Sequence, residues 1–535
     1  MSALQQEFDR GDRFLVGVEL VSTRGTVNET RVGRTLAFAH DLAGCRRIDW
    51  VSITDNAGGN PMLAPAALGG HLRDAGREVV IHLSCKDGNR NALESEAWHL
   101  ASEGFHNLLA LSGDCSGAGI AGGAKPVFDI DSVGLLTLLG RMNAGLDVTR
   151  PGARRLTRLA PTRFFSGCVV TNFKLRENEV VPQLLKLEKK LACGARWVVN
   201  QIGYDARKMS ELTAWLRRRG LGHVPLVGNV YVLNPAVARL FRQGKIPGVV
   251  VADELAAECE RRAASPDGGR AYFLELAARQ MAVYRGLGYR GVYLGGIHTL
   301  TEVEQVLDRE SAFAPGDWRE FARGLRYSRP GEYFCFAEDP VSGLADPERP
   351  APGAAAPAAK NVTIGYRFAQ FAHATLFTPG TPAWKLGARL CAGARHPDQG
   401  PWALRAAERL GKAVLFGCKD CGDCSLPDIA FLCPESACAK NQRNGPCGGT
   451  RDGRCEAGDF ECIWARAYDR LKAEGRADEL LAHAPVLQDQ HLRGTSSWAN
   501  TWLGCDHLAR KPAPPLSSAP PPAPAPGGAA PRSVP

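Results

Sequence analysis

Val79-Val-Ile-His-Leu-Ser-Cys85 and, further on, Leu108-Leu-Ala-Leu-Ser112 are apolar on both faces over most of their length and end in polar residues. A strand of that kind belongs to a sheet covered on both sides, as parallel strands shielded by helices are. Six further runs share the character: Phe14–Leu20, Trp50–Thr54, Phe164–Val170, Trp197–Ile202, Pro225–Val230 and Gly291–Ile297. Between them lie helix-compatible segments such as Val181–Leu191, apolar at 181, 184, 185, 187 and 191. Eight strand–helix units in about 300 residues predict an α/β chain with a (β/α)8 TIM barrel, because an open doubly wound sheet usually stops at five or six strands.

Beyond the barrel the 535-residue chain changes composition. Asp346–Lys360 is rich in Pro and Ala without periodicity, so it reads as an extended, exposed linker. This divides the chain into a barrel at 1–330, a linker region at 331–360, a smaller cysteine-rich metal or iron–sulfur domain at 361–508 and a Pro/Ala-rich tail at 509–535 with too little apolar surface to order itself. Apparent helices at Pro401–Leu410 and Phe460–Glu474 flank the cysteines. The chain is 44% apolar and 23% charged, which fits a globular enzyme and excludes a collagen-like or membrane-bundle composition. Its net charge of +9 is spread without a dense basic block, so no nucleic-acid partner is expected. Met1–Arg13 is acidic and lacks an apolar core, and no run is long enough to span a bilayer, so a cytoplasmic protein is expected.

Eight of the 17 cysteines crowd into one short window: Cys418, Cys421, Cys424, Cys433, Cys438, Cys447, Cys455 and Cys462. In a chain with no export signal such a cluster reads as metal ligands before disulfides. Cys418-Lys-Asp-Cys421-Gly-Asp-Cys424 lets one turn of chain wrap a single site, and the eight suffice for two four-ligand sites. Iron–sulfur and zinc both remain open, since thiol count does not separate them.

Polar residues collect where the strands end. Glu19 closes strand 1, Thr54 strand 2, His82 to Asp87 strand 3, Gly113-Asp114 strand 4 and Gln201 strand 6. In a barrel these ends meet at one mouth, and two carboxyls in unequal surroundings can divide into a proton donor and a charge stabiliser. Taken singly, Glu19 and Asp114 read equally well as helix caps and His82 as an interior histidine. Their joint placement argues for chemistry.

The same residues carry a resemblance. Val18-Glu19, Val51-Ser-Ile-Thr54, His82-Leu-Ser-Cys-Lys-Asp87, Asn107-Leu-Leu-Ala-Leu-Ser-Gly-Asp114 and Gly194-Ala-Arg-Trp-Val-Val-Asn-Gln201 are similar, in order and spacing, to flavin-dependent methylenetetrahydrofolate reductases. The resemblance implies that Glu19 is the general acid that opens the five-membered ring of the folate, that Asp114 stabilises the iminium cation and that Gln201 binds the pterin. It implies a flavin, FAD with FMN possible, lined by Thr54, His82, Gly113 and Asp114 with Lys190 toward its ribityl or phosphate end. Ser112 replaces the arginine frequent in that family, and Val170 stands where a tyrosine is usual. Asn444-Gly-Pro-Cys-Gly-Gly-Thr450 with Cys455, Cys462 and Trp464 resembles the cysteine-rich C-terminal domain that accompanies such reductases.

The expected function is therefore reduction of 5,10-methylenetetrahydrofolate to 5-methyltetrahydrofolate by a homo-oligomer. The electron donor would be NAD(P)H, ferredoxin or another redox protein working through the cysteine-rich domain. Two alternatives are a pterin-binding barrel that transfers methyl to a corrinoid or thiol, and a zinc-stabilised scaffold with a degenerate barrel.

Overall fold

A computed structural model describes residues 1–115, 118–119, 122–149, 156–352, 359–392 and 401–509. Its centre is a closed barrel of eight parallel strands: β1 (Leu15–Leu20), β2 (Trp50–Ile53), β3 (Glu78–Ser84), β4 (Asn107–Leu111), β5 (Phe165–Val170), β6 (Trp197–Asn200), β7 (Leu226–Tyr231) and β8 (Gly291–Gly295). They follow one another around the ring in chain order, and β8 pairs with β1 through Leu15↔Gly291 to Val18↔Leu294. All eight predicted runs are strands, with ends displaced by one or two residues. The predicted helix at 181–191 is the middle of Glu177–Ala192.

The bottom of the barrel is stoppered by the helix Ala3–Arg10, which Ser2 caps by accepting from the Gln5 amide. Its Leu4 and Phe8 join a separate apolar core inside the barrel, where the Phe8 ring lies 5.6 Å from Phe165 and 5.8 Å from Trp197. Trp50 and Trp197 fit only because Gly17 and Gly167 stand beneath them. A Cβ there would come 2.1 Å from the Trp50 ring and 2.3 Å from that of Trp197.

The front of the linker region is more ordered than its composition suggests. Ala345–Pro350 pairs antiparallel with Phe336–Glu338, and the Ala345 amide donates to Ser210 Oγ on the barrel. Prolines are tolerated there because a two-stranded ribbon leaves edges that need no donor. The middle of the linker (353–358) and the tail from 510 lie outside the described residues.

The cysteine-rich domain follows, with the helices Ile364–Leu376, Pro382–Cys391, Trp402–Phe416 and Ile463–Ala473. It shares a core with the barrel: Val181 and Leu185 of Glu177–Ala192 pack with Ile429, Trp464, Tyr468 and Leu471. Around that core Glu177 accepts from Tyr468 Oη at 2.7 Å and pairs with Lys472 at 2.6 Å, while Asn178 donates to Asp469. Among the described residues no helix is long and apolar enough to cross a membrane.

Candidate active site at the barrel mouth

Glu19 and Ser52 lie opposite each other in the β1–β2 register, at the C-terminal ends of their strands. Tyr293, from β8 on the other side of β1, donates its hydroxyl to Glu19 Oε1 at 2.8 Å. Ser52 Oγ stands 3.2 Å from His82 Nε2, and the His82 and Tyr293 rings are 6.2 Å apart. Glu19, Tyr293, Ser52 and His82 thus form one cluster. Burial pushes the Glu19 carboxyl above its ordinary range, with the Tyr293 hydrogen bond pulling the other way. Burial also lowers His82 to about 4, so its imidazole is neutral near pH 7. A carboxyl that keeps its proton at higher pH than usual has the property a general acid needs.

Asp114 follows β4. Its carboxyl is raised by burial and held back by Lys440 and by the Gly58 backbone amide. Gly113 adopts a left-handed φ of +84°, and a Cβ there would come 3.0 Å from the Lys86 side chain. Thr54 is buried, its Oγ1 accepting from the Ser22 amide. Gln201 accepts at Oε1 from the Ile202 amide, and its Nε2 lies beside Gly248. Lys190 is buried on the helix Glu177–Ala192. Its ammonium, lowered by burial to about 8, donates to the Val169 carbonyl at 2.7 Å.

The cysteine-rich domain covers part of this mouth. Lys440 Nζ donates to the Gly113 carbonyl at 2.7 Å and pairs with buried Glu456 at 2.5 Å. Gln442 lies 3.3 Å from Ser112 Oγ and accepts from Lys186 Nζ, which also holds the Gly445 and Pro446 carbonyls at 3.0 Å each. Lys174 Nζ donates to the Gly448 and Thr450 carbonyls. Three buried ammonium groups therefore clamp the loop 440–450 onto the barrel. None of them stands in a motif of the sequence, and neither does Tyr293; Ser52 lies within Val51-Ser-Ile-Thr54 but has no role implied there. The only hint at Tyr293 is that an aromatic hydroxyl sits in an otherwise aliphatic strand.

The eight clustered cysteines divide into two quartets. Cys418, Cys421, Cys424 and Cys433 line one small cavity; Cys438, Cys447, Cys455 and Cys462 line another. The short helix Pro434–Ala437 carries the chain from the first ring to the second. Backbone amides face the sulfurs: Asp420 N to Cys418 Sγ, Gln442 N to Cys438 Sγ and Gly449 N to Cys447 Sγ, each at 3.4 Å. Lys412 Nζ adds a donor 3.3 Å from Cys424 Sγ. Donors aimed at sulfur suit thiolates that carry charge onto a metal. Among the described residues no group of three or more His, Cys, Asp or Glu side chains closes onto a single metal-ion position.

No curated protein matches. Among solved structures, an uncharacterised protein from Clostridium thermocellum that binds two copies of 5-methyl-5,6,7,8-tetrahydrofolic acid is 11% identical, with a TM-score of 0.40 over 57% of this chain and 97% of its own. A 2,3-dimethylmalate lyase of the PEP mutase/isocitrate lyase superfamily is also 11% identical, with a TM-score of 0.31 over 59% of this chain and 88% of its own. Residues 402–490 match the family model described as methylene-tetrahydrofolate reductase C terminal. That match spans both cysteine quartets.

Proposed function

We propose that this protein reduces 5,10-methylenetetrahydrofolate to 5-methyltetrahydrofolate, with electrons delivered to the barrel mouth through the cysteine-rich domain. The observation that carries this reading is the seating of the second quartet on the candidate site. Lys440, two residues from Cys438, bridges the Gly113 carbonyl and Glu456, next to Asp114. A domain that only stabilised the fold would have no need to set Lys440 and Glu456, which line the second quartet's cavity, beside Asp114.

In this reading Glu19, whose carboxyl burial raises above its ordinary range, donates to the amine that leaves as the folate ring opens. Asp114, raised by burial but pulled back by Lys440, faces the cationic one-carbon unit and stabilises it in a site where water is scarce. Gln201 keeps one amide end for the pterin, since its other end is fixed by the Ile202 amide. Tyr293 orients Glu19.

A flavin, FAD or FMN, is the proposed hydride donor. The neutral His82 suits its ring end. Lys190, whose ammonium donates to the Val169 carbonyl, is the residue proposed toward the flavin's ribityl or phosphate end. Each quartet, four thiols around a cavity with amide donors at the sulfurs, suits an iron–sulfur cluster as the one-electron relay.

The test is an absorption spectrum and an iron, zinc and flavin analysis of the purified protein, followed by anaerobic mixing of reduced protein with methylenetetrahydrofolate. Reoxidation with formation of 5-methyltetrahydrofolate is expected. A colourless zinc protein, or methyl transfer to a corrinoid without any spectral change, would overturn the reading.

A further inference from the structure

Next to the first quartet the surface becomes apolar. The helices Ile364–Leu376, Pro382–Cys391 and Trp402–Phe416 carry more exposed large apolar side chains than all the other described residues together. Single exposed apolar residues need no explanation, but so many on adjoining helices do. Between the first and third of these helices runs a groove of about 270 Å³. Phe377, Phe431 and Trp498 line it, with Phe368 and Leu415 exposed at 57% and 53%. Cys424 and Lys412 also line it, so the groove ends against a thiol of the first quartet.

Charge narrows the choice of occupant. Residues 359–392 and 401–419 hold eight Lys and Arg and one carboxylate, Glu408. That carboxylate is buried against Lys412 and Ser497 and offers nothing to solvent. Arg367, Lys385, Arg389, Arg409 and Lys419 are exposed on these segments. A second copy docked by a twofold axis would set this positive charge against itself. A bilayer is flat, whereas the groove is concave and suits an inserted side chain. An acidic protein with an apolar centre matches both features.

We propose that this groove is the docking site of a small acidic one-electron carrier protein, which delivers electrons to the first quartet through its Cys424 edge. The proposal rests on the reductase reading above and adds to it the entry point and the class of donor. Two carrier molecules each give up one electron, and these with two protons complete the reduction of one methylene to one methyl. Carrier complexes of this kind are small and short-lived, with charge setting the encounter rate. That matches a groove of modest size in a basic surround.

The test titrates full-length, metal-loaded protein with an acidic bacterial ferredoxin by calorimetry. Binding is expected to weaken at least about tenfold between low salt and 0.3 M salt, because exposed charges are screened. Phe368→Glu and Leu415→Glu are each expected to weaken it at least about tenfold while melting temperature and metal content stay those of the wild type, since both side chains are half in water. Unaltered ferredoxin binding in both variants would overturn the proposal. So would a dimer, or adsorption to phosphatidylglycerol vesicles, that the same variants abolish without any ferredoxin binding by the wild type. A separate assay, wild-type folate reduction driven by reduced methyl viologen, tests the reductase reading alone. If the dye fails while the titration behaves as expected, the docking site stands and the reductase reading falls.

Discussion

Lys440 of the cysteine-rich domain donates to the Gly113 carbonyl of the barrel, 327 residues away in sequence, and pairs with Glu456, both side chains more than nine-tenths covered. One ammonium group thus joins the second quartet to the end of β4. Lys440→Met leaves the Glu456 carboxylate without its counter-ion, with only the Cys447 thiol facing it, so thermal or denaturant unfolding is expected to show a loss of about 3 kcal/mol. The double variant Lys440→Met/Glu456→Gln should recover part of this. Unchanged stability in the single variant would mean that water already solvates Glu456.

Glu19→Gln is expected to lower folate reduction by about 10²–10⁴-fold in steady-state assays with the melting temperature retained, as loss of a general acid does. A smaller effect would assign the proton to another group.

Tyr293→Phe tests the same acid through pH. The Tyr293 hydrogen bond favours the ionised carboxylate, so its loss raises the Glu19 pKa further. The reaction needs the protonated form, and the alkaline limb of the rate profile should therefore move to higher pH. A shift to lower pH, or none, would count against Glu19 as donor.

Cys424→Ser and Cys447→Ser lie in different quartets. Each is expected to remove the metal of one site and leave the other, which metal analysis reads as the loss of about half the content per chain. Loss of all metal from either variant would show that the two rings form only together.

His507 is held between two carboxylates, with Nδ1 2.5 Å from Asp423 and Nε2 2.9 Å from Asp428. Burial opposes its charge, yet the two partners lift its pKa to about 10. A folded-state pKa above the unfolded value of 6.5 gives stability that is fully present below that value and fades as pH climbs through about 10. Unfolding followed from pH 6 to 10.5 should show this loss, and His507→Asn should flatten it.

The barrel strands were legible because burial on both faces leaves long apolar runs, and the barrel order follows once eight such runs alternate with helices. Glu19 and Asp114 were legible as strand-end carboxyls. Tyr293 was not, because a buried tyrosine counts as one more apolar residue in a strand that already reads as core. The division of the cysteines depends on a single turn of helix at Pro434–Ala437, which spacing alone does not reveal. The clamp by Lys174, Lys186 and Lys440 was hidden for another reason. Lysines in a sequence read as solvated surface, and these three are buried only because carbonyls from a distant loop receive them.

The core shared by Val181, Leu185, Trp464 and Tyr468 has a practical consequence for protein engineering. The cap is no portable cassette: grafted onto a foreign barrel it would expose a greasy flank, and the orphaned barrel would show another. A working chimera would have to carry the whole helix Glu177–Ala192 across with it, so the two halves are inherited as a single unit.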